Sequence, residues 1–366
     1  MLAPIRDYLS PQDPQSSSLL CATRDRYFGS LSVVVDPNRP VFEGARWIAS
    51  EDLNVEHLLD VFISIDKNTG DVWDVCYHFL QHLVWHKPRQ TVLRQRVESL
   101  PDSHPYKPNC LSMLSLLFQQ IGNKGERKKL VDALGLQRQR GDDHQVARTV
   151  MLLSDVNRLL GLFVEGIEQA REALTIHERI GDTIGQGQCL DSLTWLLFDD
   201  KQLDAAENAA SRAVNLLSDK GQDHIIVGLH RVICKIHHSK GRKERAIHHL
   251  NTAIEIASLR DWHDQLFWIY FDMTLLFRDE CKYDDANAQI KQAQSHAGND
   301  LYKLGRTMQL QAGVWFHQDR LEDAKYEAVH ALENYEEAGA AYDAEVCRGI
   351  IQDIERGKEN RLLASG

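Results

Sequence analysis

Apolar residues recur at helical spacing through most of the chain, in a unit that repeats about every 40 residues. Within residues 152–176, two helical patterns meet at a turn near Gly161, and the second pattern has small residues at Gly166, Ala170 and Ala173. Four more copies follow, with turns at Lys201, Gly241, Cys281 and Asp319. A fixed period of this size indicates stacked helix hairpins, since one hairpin cannot bury its apolar face alone. The pattern predicts an all-α fold, a right-handed α-solenoid.

Each second helix has small or short apolar residues at the same three positions after the turn. In the later copies these are Ala206, Ala210 and Ala213; Ala246, Leu250 and Ala253; Ala286, Ile290 and Ala293; and Ala324, Ala328 and Ala331. We expect them to be buried where the two helices of a hairpin approach closely.

The joints between repeats also recur, as Gly141-Asp142, Gly181-Asp182 and Gly221-Gln222-Asp223. Glycine readily adopts the left-handed conformation that ends a helix. An aspartate after it can accept hydrogen bonds from the free backbone N–H groups of the next helix. We therefore expect the three aspartates to be helix caps and not a carboxylate cluster.

The regularity of the pattern divides the chain into four parts. Residues 1–66 predict an irregular helical segment, 67–107 an irregular helix pair, 108–357 about six repeats with a capping helix, and 358–366 a frayed tail.

Composition and charge disfavour several classes of function and indicate a cellular location. The formal net charge is -11, which disfavours a general nucleic-acid binder because phosphates are neutralised by basic surfaces. No apolar run is long enough to span a bilayer, so no membrane association is predicted. The 7 cysteines are scattered without a CxxC pair, which favours reduced thiols and a cytoplasmic location.

The sequence shows no recognised catalytic motif. It contains no GxSxG, no HExxH and no GxxxxGK[ST] phosphate loop. His78, His82 and His86 are one helical turn apart and could share a face, but no acidic or cysteine partner accompanies them. We predict no catalytic, cofactor or metal site and therefore no enzyme. A metalloprotein that uses these histidines is the disfavoured alternative.

The turns, the small residues and the residue two positions after the turn (Leu203, Tyr283, Leu321) resemble the tetratricopeptide repeat (TPR). The period is similar to the longer, 40-residue variant of kinesin light chains and MalT-type regulators. The resemblance covers residues 108–357. At the eighth motif position, usually Gly or Ala in the family, the chain departs from the pattern with Ser154, Thr194 and Cys234.

A second resemblance concerns the N-terminal segment. MLAPIRDYL and SEDLNVEHLLDVF look like the tail of a winged helix and its junction to the repeats in fungal STAND NTPases of the NACHT/NB-ARC class. The family's Met-His-Asp motif would fall near Met1-Leu2-Ala3, where the histidine is absent. The resemblance implies a sensor or regulatory arm, acting with an NTPase module in cis or in trans that this chain does not contain.

In the TPR family the first helix of each repeat lines a concave groove that binds partners. Projecting that register implies the following candidate groove residues: Arg148, Arg158, Gln188, Trp195, Phe198, Arg231, Lys235, Trp268, Phe271, Arg278, Arg306 and Phe316. Only Asp155 and Asp191 in this projection are acidic. Arginine and aromatic residues often dominate binding energy, so we predict a non-enzymatic scaffold for an acidic or aromatic protein or peptide segment. Alternatively, Trp195, Trp268, Phe271 and Phe316 fill the seams between repeats.

Overall fold

The computed structural model describes residues 55–64, 70–86, 90–120 and 127–365. All regular secondary structure in these ranges is α-helical, so the predicted all-α class is confirmed. Most of the predicted N-terminal segment, including its proposed winged-helix tail, lies outside the described residues.

The chain divides into two compact units, residues 1–196 and 197–366. The helices of unit 1 are α1 (55–64), α2 (Gly70–His86), α3 (Leu93–Glu98), α4 (Lys107–Gln120), α5 (Arg127–Arg140), α6 (Asp143–Leu159), α7 (Phe163–Ile180) and α8 (Thr183–Asp199), which contains the boundary. Those of unit 2 are α9 (Leu203–Leu217), α10 (Asp223–Ser239), α11 (Lys243–Leu259), α12 (His263–Asp279), α13 (Tyr283–Ala297), α14 (Leu301–His317), α15 (Leu321–Glu337) and α16 (Ala341–Ser365).

Consecutive helices pack as pairs within each unit, α4 with α5 and α6 with α7 in unit 1, and α10 with α11, α12 with α13 and α14 with α15 in unit 2. We call α6, α8, α10, α12 and α14 the A helices, because each begins a repeat. The helices that follow them, α7, α9, α11, α13 and α15, are the B helices.

The small residues of the B helices lie where they were predicted. In unit 1, a Cβ atom added to Gly166 would lie 2.6 Å from the Leu196 side chain and 3.2 Å from the Ser154 carbonyl oxygen. Ala170 and Ala173 are fully buried. In unit 2 the equivalent residues of all four copies are buried as well. Close helix contact at these positions is therefore confirmed in both units.

The predicted turn positions are confirmed by their backbone conformation. Gly161, Lys201, Gly241, Cys281 and Asp319 all have φ between 60° and 74°, in the left-handed region. Three of these five are not glycine, so each carries a steric cost that glycine avoids.

Two of the three predicted helix caps are confirmed and one is wrong. Asp142 accepts a hydrogen bond from the Gln145 backbone N–H, and Asp182 from that of Gly185. Asp223 is instead the first residue of α10, because Gln222 is inserted after the glycine and takes the cap position. The Asp223 carboxylate accepts from Arg260 at 2.6 Å.

Helices α1 and α16 lie at the two ends of the described part of the chain. Leu58, Leu59 and Phe62 of α1 are buried. Helix α16 continues to Ser365, through most of the segment predicted to fray. The division into four predicted parts, with its three boundaries, stays a prediction.

Candidate partner-binding face

All twelve candidate groove residues lie on A helices. We call those of unit 1 the unit 1 A face: Arg148 and Arg158 on α6, and Gln188 and Trp195 on α8. We call those of unit 2 the unit 2 A face: Phe198 on α8; Arg231 and Lys235 on α10; Trp268, Phe271 and Arg278 on α12; and Arg306 and Phe316 on α14.

Cations stack on aromatic rings in the unit 1 A face. The Arg158 guanidinium lies 5.7 Å from the centre of the half-buried Trp195 ring, and that of Arg148 lies 5.2 Å from the Tyr77 ring. Gln188 of α8 is half-buried. Each stacking contact holds a long, flexible cation in one orientation before any partner binds.

Two carboxylates lie beside these rings. Burial raises the pKa of Asp155 to about 6, although a hydrogen bond from Ser192 and the charge of Arg158 partly offset it. Burial, and next the negative charge of Asp155, raise the pKa of Asp191 to about 7, with Arg158 and a hydrogen bond from Trp195 opposing. Within the described residues, Asp191 Oδ1 is buried and accepts no hydrogen bond. The pair is therefore only partly ionised at neutral pH.

The unit 2 A face contains a different arrangement of charges. Asp272 of α12 accepts a 2.7 Å hydrogen bond from Arg231 Nε and a 2.8 Å bond from Lys235 Nζ. The Asp272 side chain is only 3% exposed. Burial alone would raise its pKa, but the two cations and their hydrogen bonds outweigh burial and hold the pKa below its usual value. Asp272 is consequently ionised at neutral pH.

The aromatic residues of the unit 2 A face have unequal exposure. Trp268 is half-buried, 5.6 Å from the Phe271 ring and 6.0 Å from the Arg231 guanidinium. Phe271 is 7% exposed beneath Arg306, whose guanidinium lies 4.7 Å from its ring, so it packs between repeats. Phe316 is 41% exposed.

The remaining cations of this face each have one carboxylate. Arg278 lies 2.8 Å from Asp279, and Arg306 lies 3.4 Å from Asp343. Phe198 lies 5.7 Å below the Lys201 ammonium group. The charge comparison made from sequence was therefore incomplete, because Asp272, Asp279 and Asp343 all neutralise cations that it counted.

Asp272 was the residue that sequence reasoning missed. Its place in the repeat is occupied in the other copies by Leu152, Ser192, Val232 and Leu310, which are apolar or small. A carboxylate at a buried position of an otherwise apolar register requires a cationic partner. That mismatch, and the two cations one helical turn apart at Arg231 and Lys235, were the available signals.

A histidine cluster lies between α10 and α11 of unit 2. The Nδ1 atoms of His230 and His249 are 2.9 Å apart, and the His237 ring stacks 5.3 Å from that of His249. Glu207 of α9 lies 3.9 Å from His237. Burial, followed by the neighbouring histidines (His230, His237 and His248), lowers the pKa of His249 to about 4, so its neutral form is favoured.

The described part of the chain contains neither a metal-binding cluster nor a membrane-spanning helix. No group of three or more His, Cys, Asp or Glu residues there could hold a metal ion. The side chains of His82 and His86 lie outside the described residues, so the predicted histidine face is not tested. Of the described helices, none combines the length and apolar character needed to cross a bilayer.

Comparisons with known proteins show what the fold is similar to. No protein-family model matches the sequence, and no curated protein matches it. A Rap protein complexed with Competence and Sporulation Factor is 13% identical with a TM-score of 0.57, over 93% of this chain and 98% of that one. Aspartyl phosphate phosphatase F from Bacillus subtilis is 14% identical with a TM-score of 0.51, over 95% of each chain.

A third solved structure is a STAND protein with a tetratricopeptide repeat sensor from Pyrococcus horikoshii. It is 13% identical with a TM-score of 0.54, over 99% of this chain and 55% of that protein. At these identities the likeness shows the fold alone. The chain has an all-α, TPR-like fold of paired helices.

Proposed function

We propose that this protein is a non-enzymatic interaction scaffold whose A faces bind a protein or peptide segment of acidic or aromatic character. The observation that carries the proposal is the recurrence of an arginine stacked on a partly exposed indole ring, Arg158 on Trp195 and Arg231 on Trp268. Tryptophan and arginine are enriched among the residues that dominate binding energy at interfaces. Stacking also fixes both side chains before binding, which lowers the entropy cost of association.

Two further observations agree with this function. The Rap protein with a similar fold was solved in complex with a separate factor, Competence and Sporulation Factor. The described cysteines are free thiols, which suits a reducing compartment such as the cytoplasm.

The test is a chemically crosslinked pull-down from native extract with three double variants. Trp195→Ala with Arg158→Ala removes the unit 1 pair, and Trp268→Ala with Lys235→Ala alters the unit 2 A face. Lys291→Ala with Gln294→Ala, both exposed on B helix α13, is the matched control. Circular dichroism first establishes that every variant is folded.

We expect a partner that the control retains and at least one A-face variant loses. The same partners on all three variants would contradict the proposal, because binding would then not involve either A face.

A second function is favoured by the likeness to the STAND protein with a repeat sensor. In this alternative the chain is the sensor arm of a nucleotide-driven switch, with the NTPase module in cis or in trans. Identifying the partners separates the two functions, since an NTPase that carries a GxxxxGK[ST] loop would have to be among them. Sequencing of the full transcript tests the cis arrangement, because a GxxxxGK[ST] loop would then have to be encoded in the same chain.

A further inference from the structure

The cations of the unit 2 A face do not share carboxylates equally. Arg278 and Arg306 each lie beside a carboxylate of their own, Asp279 and Asp343. Arg231 and Lys235 share one carboxylate, that of Asp272. This group of three side chains, which we call the Asp272 triad, therefore has one positive charge in excess.

The excess charge is poorly hydrated. The Arg231 side chain is 17% exposed and that of Lys235 is 30% exposed. Removing a charge from water is costly unless an opposite charge accompanies it. A second anion on the outer side of the triad would complete the neutralisation.

The triad also has hydrogen-bond donors available for such an anion. Arginine has five N–H donors, and in the described structure only Nε of Arg231 donates a hydrogen bond, to Asp272. Lysine has three donors, and Lys235 uses one of them, again on Asp272. Because Asp272 holds both side chains in place, these donors are already oriented.

The surroundings indicate what the anion is attached to. The half-buried Trp268 ring lies 6.0 Å from the Arg231 guanidinium and contacts Phe271. An anion that binds here thus lies beside an aromatic surface, which suits a side chain of an extended peptide better than a free inorganic ion. A carboxylate has one negative charge and matches the excess, whereas a doubly charged phosphate would leave a negative charge close to Asp272.

We propose that the Asp272 triad, with Trp268 beside it, binds a single carboxylate of the partner segment. This inference rests on the proposed function, and it names the group of the partner that the unit 2 A face recognises. The carboxylate comes from an Asp or Glu side chain or from the C-terminus of the segment.

Synthetic peptides test the proposal by fluorescence anisotropy with the full chain. The probe is a short acetylated and amidated peptide with a central glutamate among alanine, leucine and phenylalanine, and the comparison peptide has glutamine in its place. A glutamine peptide with a free C-terminal acid distinguishes the second source of the carboxylate. A phosphoserine peptide tests the single-charge argument.

We expect one of the acid peptides to bind about tenfold more tightly than the neutral one, as one charged hydrogen-bonded pair implies. Lys235→Gln should abolish this preference, because the triad then has no excess charge. Lys291→Gln on α13 is the matched control and should retain the preference. The wild-type comparison of peptides needs no variant, so a folding defect cannot mask the result.

Equal binding of acid and neutral peptides would overturn the proposal, as would a preference that survives Lys235→Gln. Tighter binding of the phosphoserine peptide would overturn the single-charge assignment. If acid and neutral peptides bind equally and Trp268→Ala weakens both, the carboxylate assignment fails while the proposed function stands. If no peptide binds, this inference fails and the pull-down alone decides the proposed function.

Discussion

The two units bury carboxylates on the same face of their A helices, but with opposite consequences. In unit 1, burial raises the pKa of Asp155 to about 6 and, together with the charge of Asp155, raises that of Asp191 to about 7, while Arg158 only partly opposes both shifts. Asp272 in unit 2 is bonded to two cations, so its pKa falls. Burial raises the pKa in both units, and the number of cations bonded to each carboxylate decides whether that rise is overcome.

What the two units share is the close contact between A and B helices. Ala170→Glu in unit 1 and Ala246→Glu in unit 2 replace fully buried alanines with a bulky unpaired charge. We expect each to destabilise its own unit by about 4 kcal/mol or more. Urea unfolding followed by circular dichroism measures the loss. A urea midpoint equal to that of the wild type in either variant would contradict the assigned register.

The largest difference between the units should follow from removing a carboxylate. Asp272→Asn leaves Arg231 and Lys235 side by side without a neutralising charge, so we expect a loss of about 3 kcal/mol in the free energy of unfolding. Asp191→Asn is the matched change in unit 1 and should alter stability by no more than about 1 kcal/mol, because Asp191, with a pKa of about 7, is only partly ionised near pH 7. Equal losses would show that the two carboxylates are held alike.

Acid should weaken unit 2 through its histidine cluster. The pKa of His249 is lowered to about 4, and burial lowers those of His230 and His237 as well, so the folded state favours neutral imidazoles. The contribution of these neutral imidazoles to the free energy of unfolding is complete above pH 6.5 and is lost as the pH falls from there toward 4. For His237, the Glu207 charge opposes the lowering of the pKa, whereas Arg242, Arg245 and Lys240 strengthen it.

Hydrogen exchange of peptides from α10 and α11, at pH 7 and pH 5, measures the effect. We expect faster opening at pH 5, with a smaller change in His249→Gln. Exchange that slows on acidification would contradict the burial of neutral imidazoles in this cluster.

Acid should have the opposite effect on the carboxylate pair of unit 1. Because the folded pKa values of Asp155 and Asp191 are raised, the folded state binds protons more tightly, and stability increases as the pH falls from 8 through 7 and 6. After allowance for partial exposure, we expect a gain of about 1 kcal/mol. Asp191→Asn should remove most of this pH dependence. A wild-type protein whose α6 exchanges equally at pH 8 and pH 5.5 would contradict it.

The smallest difference concerns the turns. In the described part of unit 1, the residues in the left-handed region are glycines. In unit 2, several are not glycine, including Cys281, whose φ is 60°. Cys281→Gly should be more stable than Cys281→Ala by about 1 kcal/mol, since both lack the thiol and only alanine retains the steric strain. Comparing the two midpoints in urea isolates the backbone term, and a more stable alanine variant would contradict the strain.

The backbone of this fold could be predicted from sequence because its causes repeat. Gly166 and the alanines that follow are required wherever two helices approach closely, so the same pattern occurs in every copy. The actual position of Asp223 could not be predicted from the motif alone. One inserted residue, Gln222, occupies the cap position, so Asp223 becomes the first residue of α10.

The charges of the candidate site were harder to predict. Arg231, Lys235 and Trp268 were identified from the register, and the structure places them together. Their partner Asp272 comes from the next repeat, at a position where the pattern expects an apolar residue. A contact between repeats depends on the directions of side chains on two different helices. The periodicity of one helix carries no information about those directions.

Locating a bound acidic peptide on the protein tests the role of the Asp272 triad most directly. A central-glutamate peptide carrying a diazirine side chain is bound to the full chain, irradiated, and its crosslinks are mapped by mass spectrometry. We expect crosslinks in α10 and α12, around Lys235 and Trp268, that the glutamine peptide fails to give. Crosslinks confined to α6 and the B helices would show that the Asp272 triad is not the recognition site.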